Sequence, residues 1–243
     1  MRIPRIYIAD ISENNKTIQL TNEVNHYLIN VLRLKANHPV ILFNGTDAVE
    51  FHGLITEISK KRTTIEITQI IPINNLPPIN IHLLQALSKG DRFDYAIQKA
   101  TELGVASITP LITERVDVKL SAERLTKKIQ HWQKIVISAC EQSNRVIIPK
   151  IEQPLELAKF QKPCDTLAFI LSPYTEKKLS QYADKSSNNI YIIIGPEGGL
   201  TDAEIFNAEK LGIFSINLGP RILRTETAPV AMISLIEYLW GDF

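Results

Sequence analysis

Cysteine is nearly absent: Cys140 and Cys164 lie far apart, with no Cys-x-x-Cys pair and no His-rich neighbour. That excludes a disulfide framework and offers no zinc-ligand spacing, so no metal site is expected and a cytoplasmic setting fits. No apolar run approaches the roughly 20 residues of a membrane span. Met1-Arg-Ile-Pro-Arg5 lacks the apolar stretch of a secretory signal. Neither a Gly-x-Gly-x-x-Gly fingerprint nor a Walker loop is present, which leaves a dehydrogenase or kinase a distant reading. A strong excess of one charge is missing too: 27 Lys and Arg face 26 Asp and Glu, and a net charge of +1 alone points to no nucleic-acid partner.

What the chain does contain is the composition of a folded protein, 44% hydrophobic and 22% charged over 243 residues. That length suits one large domain or two of ordinary size. Its charge is unevenly spread. Lys and Arg against Asp and Glu number 8 to 7 over residues 1–72, 11 to 7 over 73–150 and 8 to 12 over 151–243. A modest basic stripe in the centre could face RNA, although a solvated helix face gives the same pattern.

The pattern of the first 70 residues predicts short strands at 5–8, 17–20, 39–43, 49–58 and 63–70, several alternating apolar with polar. Asn44-Gly45 is a hairpin-type turn, and Thr21 is placed to cap a helix carrying Val24, Leu28, Val31 and Leu32. A small β-barrel with one helix follows. The uncharged stretch 71–78, with Pro72, Pro77 and Pro78, reads as a semi-rigid linker. This divides the chain into 1–72 and 73–243.

Beyond the linker, strands alternate with helices. Strands are expected at 79–87, 105–111, 166–171, 190–194 and 215–218, the later ones short and apolar as buried parallel strands are. Asp91 begins a helix with Phe93, Ala96, Ile97, Ala100 and Leu103 on one face, ending at Gly104; a long helix covers 121–142, and others cover 202–211 and 229–240. The sum is an α/β domain with a mostly parallel sheet. The last helix is apolar nearly all round, which buries it in the core or in a subunit interface.

Two loops carry the functional reading. Gly195-Pro-Glu-Gly-Gly199 follows a strand and precedes the capping box Thr201-Asp-Ala-Glu204, and open α/β sheets bind ligands at such strand ends. Alone this is an ordinary turn. The second loop, Leu218-Gly-Pro-Arg-Ile-Leu-Arg-Thr-Glu-Thr-Ala228, repeats the layout with Arg221, Arg224 and Glu226 close together. Two glycine loops at neighbouring strand ends make a ligand site the stronger reading. Glu141, Gln142, Asn144 and Arg145 could line the same cleft or cap the long helix.

Together with Gln98-Lys-Ala-Thr-Glu-Leu-Gly-Val105, Glu141-Gln-Ser-Asn-Arg145 and His26-Tyr-Leu-Ile-Asn-Val-Leu-Arg33, these loops resemble the RsmE family of 16S rRNA (uracil-N3)-methyltransferases. The resemblance spans nearly the whole chain. It implies a SPOUT-type α/β methyltransferase domain with a C-terminal trefoil knot over about 168–230, a PUA-like N-terminal RNA-binding domain and a homodimer. It further implies transfer of methyl from S-adenosylmethionine to N3 of a uridine in 16S rRNA, within the small ribosomal subunit. The cofactor would be held by Leu171, Ser172, Ile194, Gly195, Pro196, Glu197, Gly198, Gly199, Leu218, Gly219, Ile222, Leu223, Thr227 and Ala228.

The chemistry requires alignment of the uracil nitrogen and removal of its proton. Arg224 is the first candidate for stabilising the uracil anion. Glu197 or Glu226 could accept the proton or orient an arginine. RNA contacts are expected from Arg2, Arg5, Arg33, Lys35, Lys89, Arg92, Arg145 and Arg221.

Overall fold

The computed structural model describes residues 3–74, 76–116 and 122–243, so Arg2 and Ser121 lie outside the described residues. The chain divides into two compact units, residues 1–76 with 140–148, and residues 77–139 with 149–243.

In the first unit, β1 (Arg5–Tyr7), β2 (Thr17–Leu20), β3 (Pro39–Phe43), β4 (Val49–Ile58) and β5 (Thr63–Pro72) form a half-barrel sheet in the order β1-β3-β4-β5-β2. Alternation directs Phe51 and Ile55 of β4 and Ile65 of β5 inward, onto Ile6, Leu28, Val40 and Leu42. The pairing of β4 with β5 shifts register between His52 and Gly53 and again between Ile55 and Glu57, and such bulges bend and twist a strand. At Gly53 a Cβ would come within 2.7 Å of the Glu66 carbonyl oxygen, so the bulge admits only glycine.

Three expectations change here. The turn at Asn44-Gly45 is part of a longer loop between β3 and β4, in which the Asn44 side-chain oxygen accepts from the amides of Thr46 and Asp47. The proline-rich stretch is not all linker: β5 runs to Pro72, which pairs with Val49. Pro72 is tolerated because β2 covers only Thr63–Glu66 of β5, so no second neighbour asks for its missing N–H. The helix is α1 (Asn22–His26) followed by a wider π turn, Tyr27–Val31. Thr21 precedes it without a side-chain capping bond. The wider turn buries Leu28 but carries Val31 out to 61% exposure.

The second unit holds a sheet in the order β12-β10-β11-β6-β7-β8, with β9 also against β7. Its strands are β6 (Asn80–Ala86), β7 (Ser107–Ile112), β8 (Lys150–Ile151), β9 (Leu155–Glu156), β10 (Leu167–Leu171), β11 (Asn189–Ile194) and β12 (Phe214–Ile216). Every pairing is parallel. Strands β8 and β9 are two residues each, too short to show a period, and escape sequence reading.

Around the sheet stand α2 (Arg92–Glu102), α3 (Ala122–Ser143), α4 (Asp202–Lys210) and α5 (Thr227–Trp240). Helix α2 buries Phe93, Ala96, Ile97 and Ala100, as its spacing predicts, and Gly104 closes it at φ +102°. Trp132 of α3 packs its ring 4.5 Å from Phe93 and donates its indole N–H to Asp94 at 3.1 Å. Helix α5 buries Met232, Ile233 and Ile236, yet leaves Leu235 and Tyr238 exposed.

Candidate active site

Because the strands are parallel, the loops after β10, β11 and β12 leave the sheet at the same, carboxyl edge. The chain steps from β10 to β11 on one side and then returns past β10 to place β12 on the other. Such a reversal of strand order opens a crevice between diverging loops. A cavity of about 520 Å³ lies there, a size typical of small-molecule sites.

The cavity gathers most of the predicted residues. Leu171 and Ser172 come from β10 and its end, Ile194 to Gly199 from β11 and its loop, Leu218, Gly219, Ile222 and Leu223 from the loop after β12, and Ala228 from the first turn of α5. Arg92, Glu197, Arg221, Arg224 and Glu226 line it as well. Thr227 does not. As the first residue of α5 it is exposed, and its amide turns back to donate to the Arg224 carbonyl at 2.9 Å.

Gly195, Gly198, Gly199 and Gly219 bare main chain in the walls, and aliphatic side chains such as Leu171, Ile194 and Leu223 fill the rest. Gly199 and Gly219 adopt φ of +71° and +111°, a region other residues avoid. At Gly195 a Cβ would stand 2.9 Å from Leu200 Cγ. Thr201 and Glu204 form the expected capping box, fixing where the first loop becomes α4. The Arg224 carbonyl accepts from both Thr227 and Ala228 amides at 2.9 Å, which anchors the second loop to α5.

The charged residues differ in environment. The Glu197 carboxylate accepts from Arg92 at 2.6 Å and from the Lys89 amide at 3.3 Å. Burial alone would raise its pKa, but backbone amide hydrogen bonds and the Arg92 guanidinium hold it below the usual carboxylate range. Glu226 has no ion pair among the described residues, and its Oε2 is buried without a hydrogen-bond partner. Arg221 and Arg224 are exposed, and neither makes an ion pair among the described residues.

Several residues that line the cavity or brace its loops were not foreseen. Arg115, beyond β7, donates to the carbonyls of Gly198 at 2.8 Å and Leu200 at 3.4 Å, gripping the first loop. Fully buried Gln85 donates to Thr225, whose hydroxyl donates to the Gly195 carbonyl. The available sequence signals were a lone amide inside an apolar strand and an arginine just past a strand end. Tyr174 lines the cavity while standing 83% exposed.

Of the remaining candidates, Lys89 is exposed in the second unit, while Arg5, Arg33, Lys35 and Arg145 fall in the first. Arg33, at φ +53°, and Lys35 are exposed. Arg5 is buried; its guanidinium pairs with Glu50 and donates to the Arg145 carbonyl at 3.1 Å, so the RNA contact expected of it has no free surface. The helix-end cluster belongs to the first unit, where Glu141 accepts from the Tyr7 amide at 3.0 Å.

Residues 75–237 match the family model of an RNA methyltransferase domain, and residues 20–68 that of an RNA methyltransferase PUA domain. The chain is 38% identical to ribosomal RNA small subunit methyltransferase E of Buchnera aphidicola, over all of this chain and 96% of that one. The chain belongs to the RsmE family. Another RsmE protein, that of Bacillus subtilis, is 31% identical over 93% of this chain and 91% of its own. The Neisseria gonorrhoeae RsmE structure, bound to S-adenosyl methionine, superposes with a TM-score of 0.91 at 37% identity, covering both chains fully. A Legionella pneumophila structure with bound cofactor SAM reaches 0.93 at 39% identity, also over both full chains.

Proposed function

We propose that this chain transfers a methyl group from S-adenosylmethionine to N3 of a uridine in small-subunit 16S rRNA, giving 3-methyluridine. The observation that carries the reading is the convergence of three strand-end loops on one cavity that holds two unpaired arginines and a buried, unpartnered carboxylate oxygen. The cavity fits the cofactor. Its glycine-lined wall admits close backbone approach, and Glu226 Oε2 offers an uncompensated acceptor to a cationic ligand. When bound, S-adenosylmethionine supplies a methyl already activated by its sulfonium.

The protein's own residues then align and deprotonate. Arg224, its backbone anchored at the start of α5, extends a free guanidinium that stabilises negative charge developing on the uracil oxygens. Glu226 is the better placed proton acceptor. Glu197, engaged by Arg92 and held ionised, orients that arginine instead. Orientation in such a site is worth roughly 7–11 kcal/mol and proton transfer about 10²–10⁴-fold.

RNA contacts are assigned to Arg33, Lys35, Lys89, Arg92, Arg145 and Arg221, with 1–72 as the PUA-like RNA-binding domain and 73–243 as the SPOUT domain. The family fold supports a trefoil knot through the cavity loops. The exposed Leu235 and Tyr238 of α5 support a homodimer. Among the described residues no helix is long and apolar enough to cross a membrane, and an rRNA substrate supports a cytoplasmic setting.

The test is nucleoside mass spectrometry of 16S rRNA and of small subunits incubated with enzyme and labelled cofactor. Labelled 3-methyluridine is expected; a different labelled nucleoside, or none, would overturn the assignment.

A further inference from the structure

Tyr174 is the most exposed large hydrophobic residue among those described, at 83%, yet its backbone is held on both sides. The Asn217 side-chain amide donates to the carbonyls of Pro173 at 3.3 Å and Thr175 at 3.0 Å, the residues flanking it. Asn217 is itself fixed: its backbone amide donates to the Lys177 carbonyl at 2.8 Å, and its side-chain oxygen accepts from the Gly219 amide. The Tyr174 amide reaches Ser172 Oγ at 3.4 Å. The loop after β10 is thus stitched to the loop after β12, and an aromatic ring projects from the stitch with little packed against it.

Position decides what such a ring is for. The cavity floor is formed by buried residues such as Ile194, Ser172 and Thr225, at 2%, 4% and 6% exposure. Tyr174 and Ile222, at 83% and 81%, form its rim. Arg221 and Arg224 share that lining without ion pairs among the described residues. An uncovered aromatic face beside unneutralised guanidinium groups matches the chemistry that captures an unstacked base of a single RNA strand. An apolar protein partner would leave the two cations uncompensated, and a ligand on the floor would not need the rim.

We propose that Tyr174 is the stacking platform for a nucleobase of the RNA substrate at the cavity mouth. The inference rests on the rRNA methyltransferase reading and adds a residue through which the RNA strand is held. Stacking needs a flat ring and no hydroxyl, so phenylalanine and tryptophan serve in its place. Leucine, similar in apolar area but not planar, does not.

The test compares full-length Tyr174→Ala, Tyr174→Leu, Tyr174→Phe and Tyr174→Trp with the unaltered chain. It reads KM for RNA, kcat, S-adenosylmethionine affinity by calorimetry and association state by sedimentation. Ala and Leu are expected to raise KM for RNA about 10- to 100-fold, Phe and Trp to stay near the original, and cofactor affinity to hold throughout. The proposal is overturned if Leu performs as well as Tyr, if cofactor affinity falls with the ring, if Ala changes the association state, or if KM for RNA does not move. Quenching of Tyr174→Trp fluorescence by a uridine-containing single strand supplies a readout independent of turnover. Quenching without methyl transfer by the unaltered chain would sink the methyltransferase reading and leave the platform standing; absence of quenching would sink the platform.

Discussion

The hydroxyl of Thr225 donates to the carbonyl of Gly195 at 2.8 Å, bonding the loop after β12 to the loop after β11. The same oxygen accepts from the Gln85 amide at 3.0 Å, and Gln85 also donates to the Thr225 carbonyl at 3.3 Å. A carbonyl can only accept, so the amide nitrogen must face Thr225, which fixes the orientation of the side chain. Thr225→Val keeps the shape and deletes the relay. It is expected to weaken S-adenosylmethionine binding roughly tenfold, about 1.4 kcal/mol, with Thr225→Ser close to the original. Calorimetry on the three proteins decides it, and unchanged affinity for Val would show that the loops hold their spacing without the bond.

Arg224→Ala should sharply slow methyl transfer while cofactor binding survives, because its carbonyl still accepts from the first amides of α5 and the substitution removes only the guanidinium arm. A loss of about 10²–10³ in kcat is the scale for removing a donor to developing negative charge. Single-turnover assays alongside calorimetry separate the two effects; undiminished turnover removes Arg224 from the mechanism.

The two acidic candidates should part company. Glu226→Gln is expected to lower kcat about 10²–10⁴-fold. Glu197→Gln should leave kcat much closer to the original, since Glu197 already serves Arg92. A reversed result would exchange their roles.

The first unit should lose stability in acid. Burial alone would raise the Glu50 carboxyl, but hydrogen bonds and charge from Arg5 and His52 bring it below its ordinary value. A carboxylate depressed by folding stabilises fully above its unfolded pKa, and that contribution is lost as pH falls through the lower, folded value. Unfolding of the unit monitored below about pH 4.5 should therefore steepen in the original chain and be blunted in Glu50→Gln. Identical acid profiles would contradict this.

Gly104→Ala forces a Cβ to within 3.0 Å of Glu237 Oε1 at φ +102°. The expected cost is about 1–2 kcal/mol, a fall of about 2–6 °C in Tm. Differential scanning calorimetry checks it.

Legibility from sequence followed the length and regularity of each element. Helix α2 announced itself through Phe93, Ala96, Ile97 and Ala100, and its stop through Gly104; β11 and its glycine loop were equally plain. The π turn after His26 was invisible, because apolar spacing over 24–32 fits an ordinary helix until backbone widening turns Val31 outward. Both glycine loops were readable from composition beside strand ends. Gln85 and Arg115 were not, since each acts by touching loop backbone more than 80 positions away. Arg5 misled for the opposite reason: a cation near the start of a chain looks solvated until Glu50, on a strand far along, closes over it.

A cavity whose outline is set in part by glycine backbone resists substitution in a particular way. Its outline is drawn by torsion angles at Gly199 and Gly219 and by the contact of Gly195 with Leu200, so side-chain substitution there breaks the wall before reshaping it. Variation in what this scaffold accepts must therefore enter from the rim, where Ile222 and Arg221 stand open to solvent. Attempts to load bulkier sulfonium analogues would do best to trim those rim positions and leave the glycines untouched.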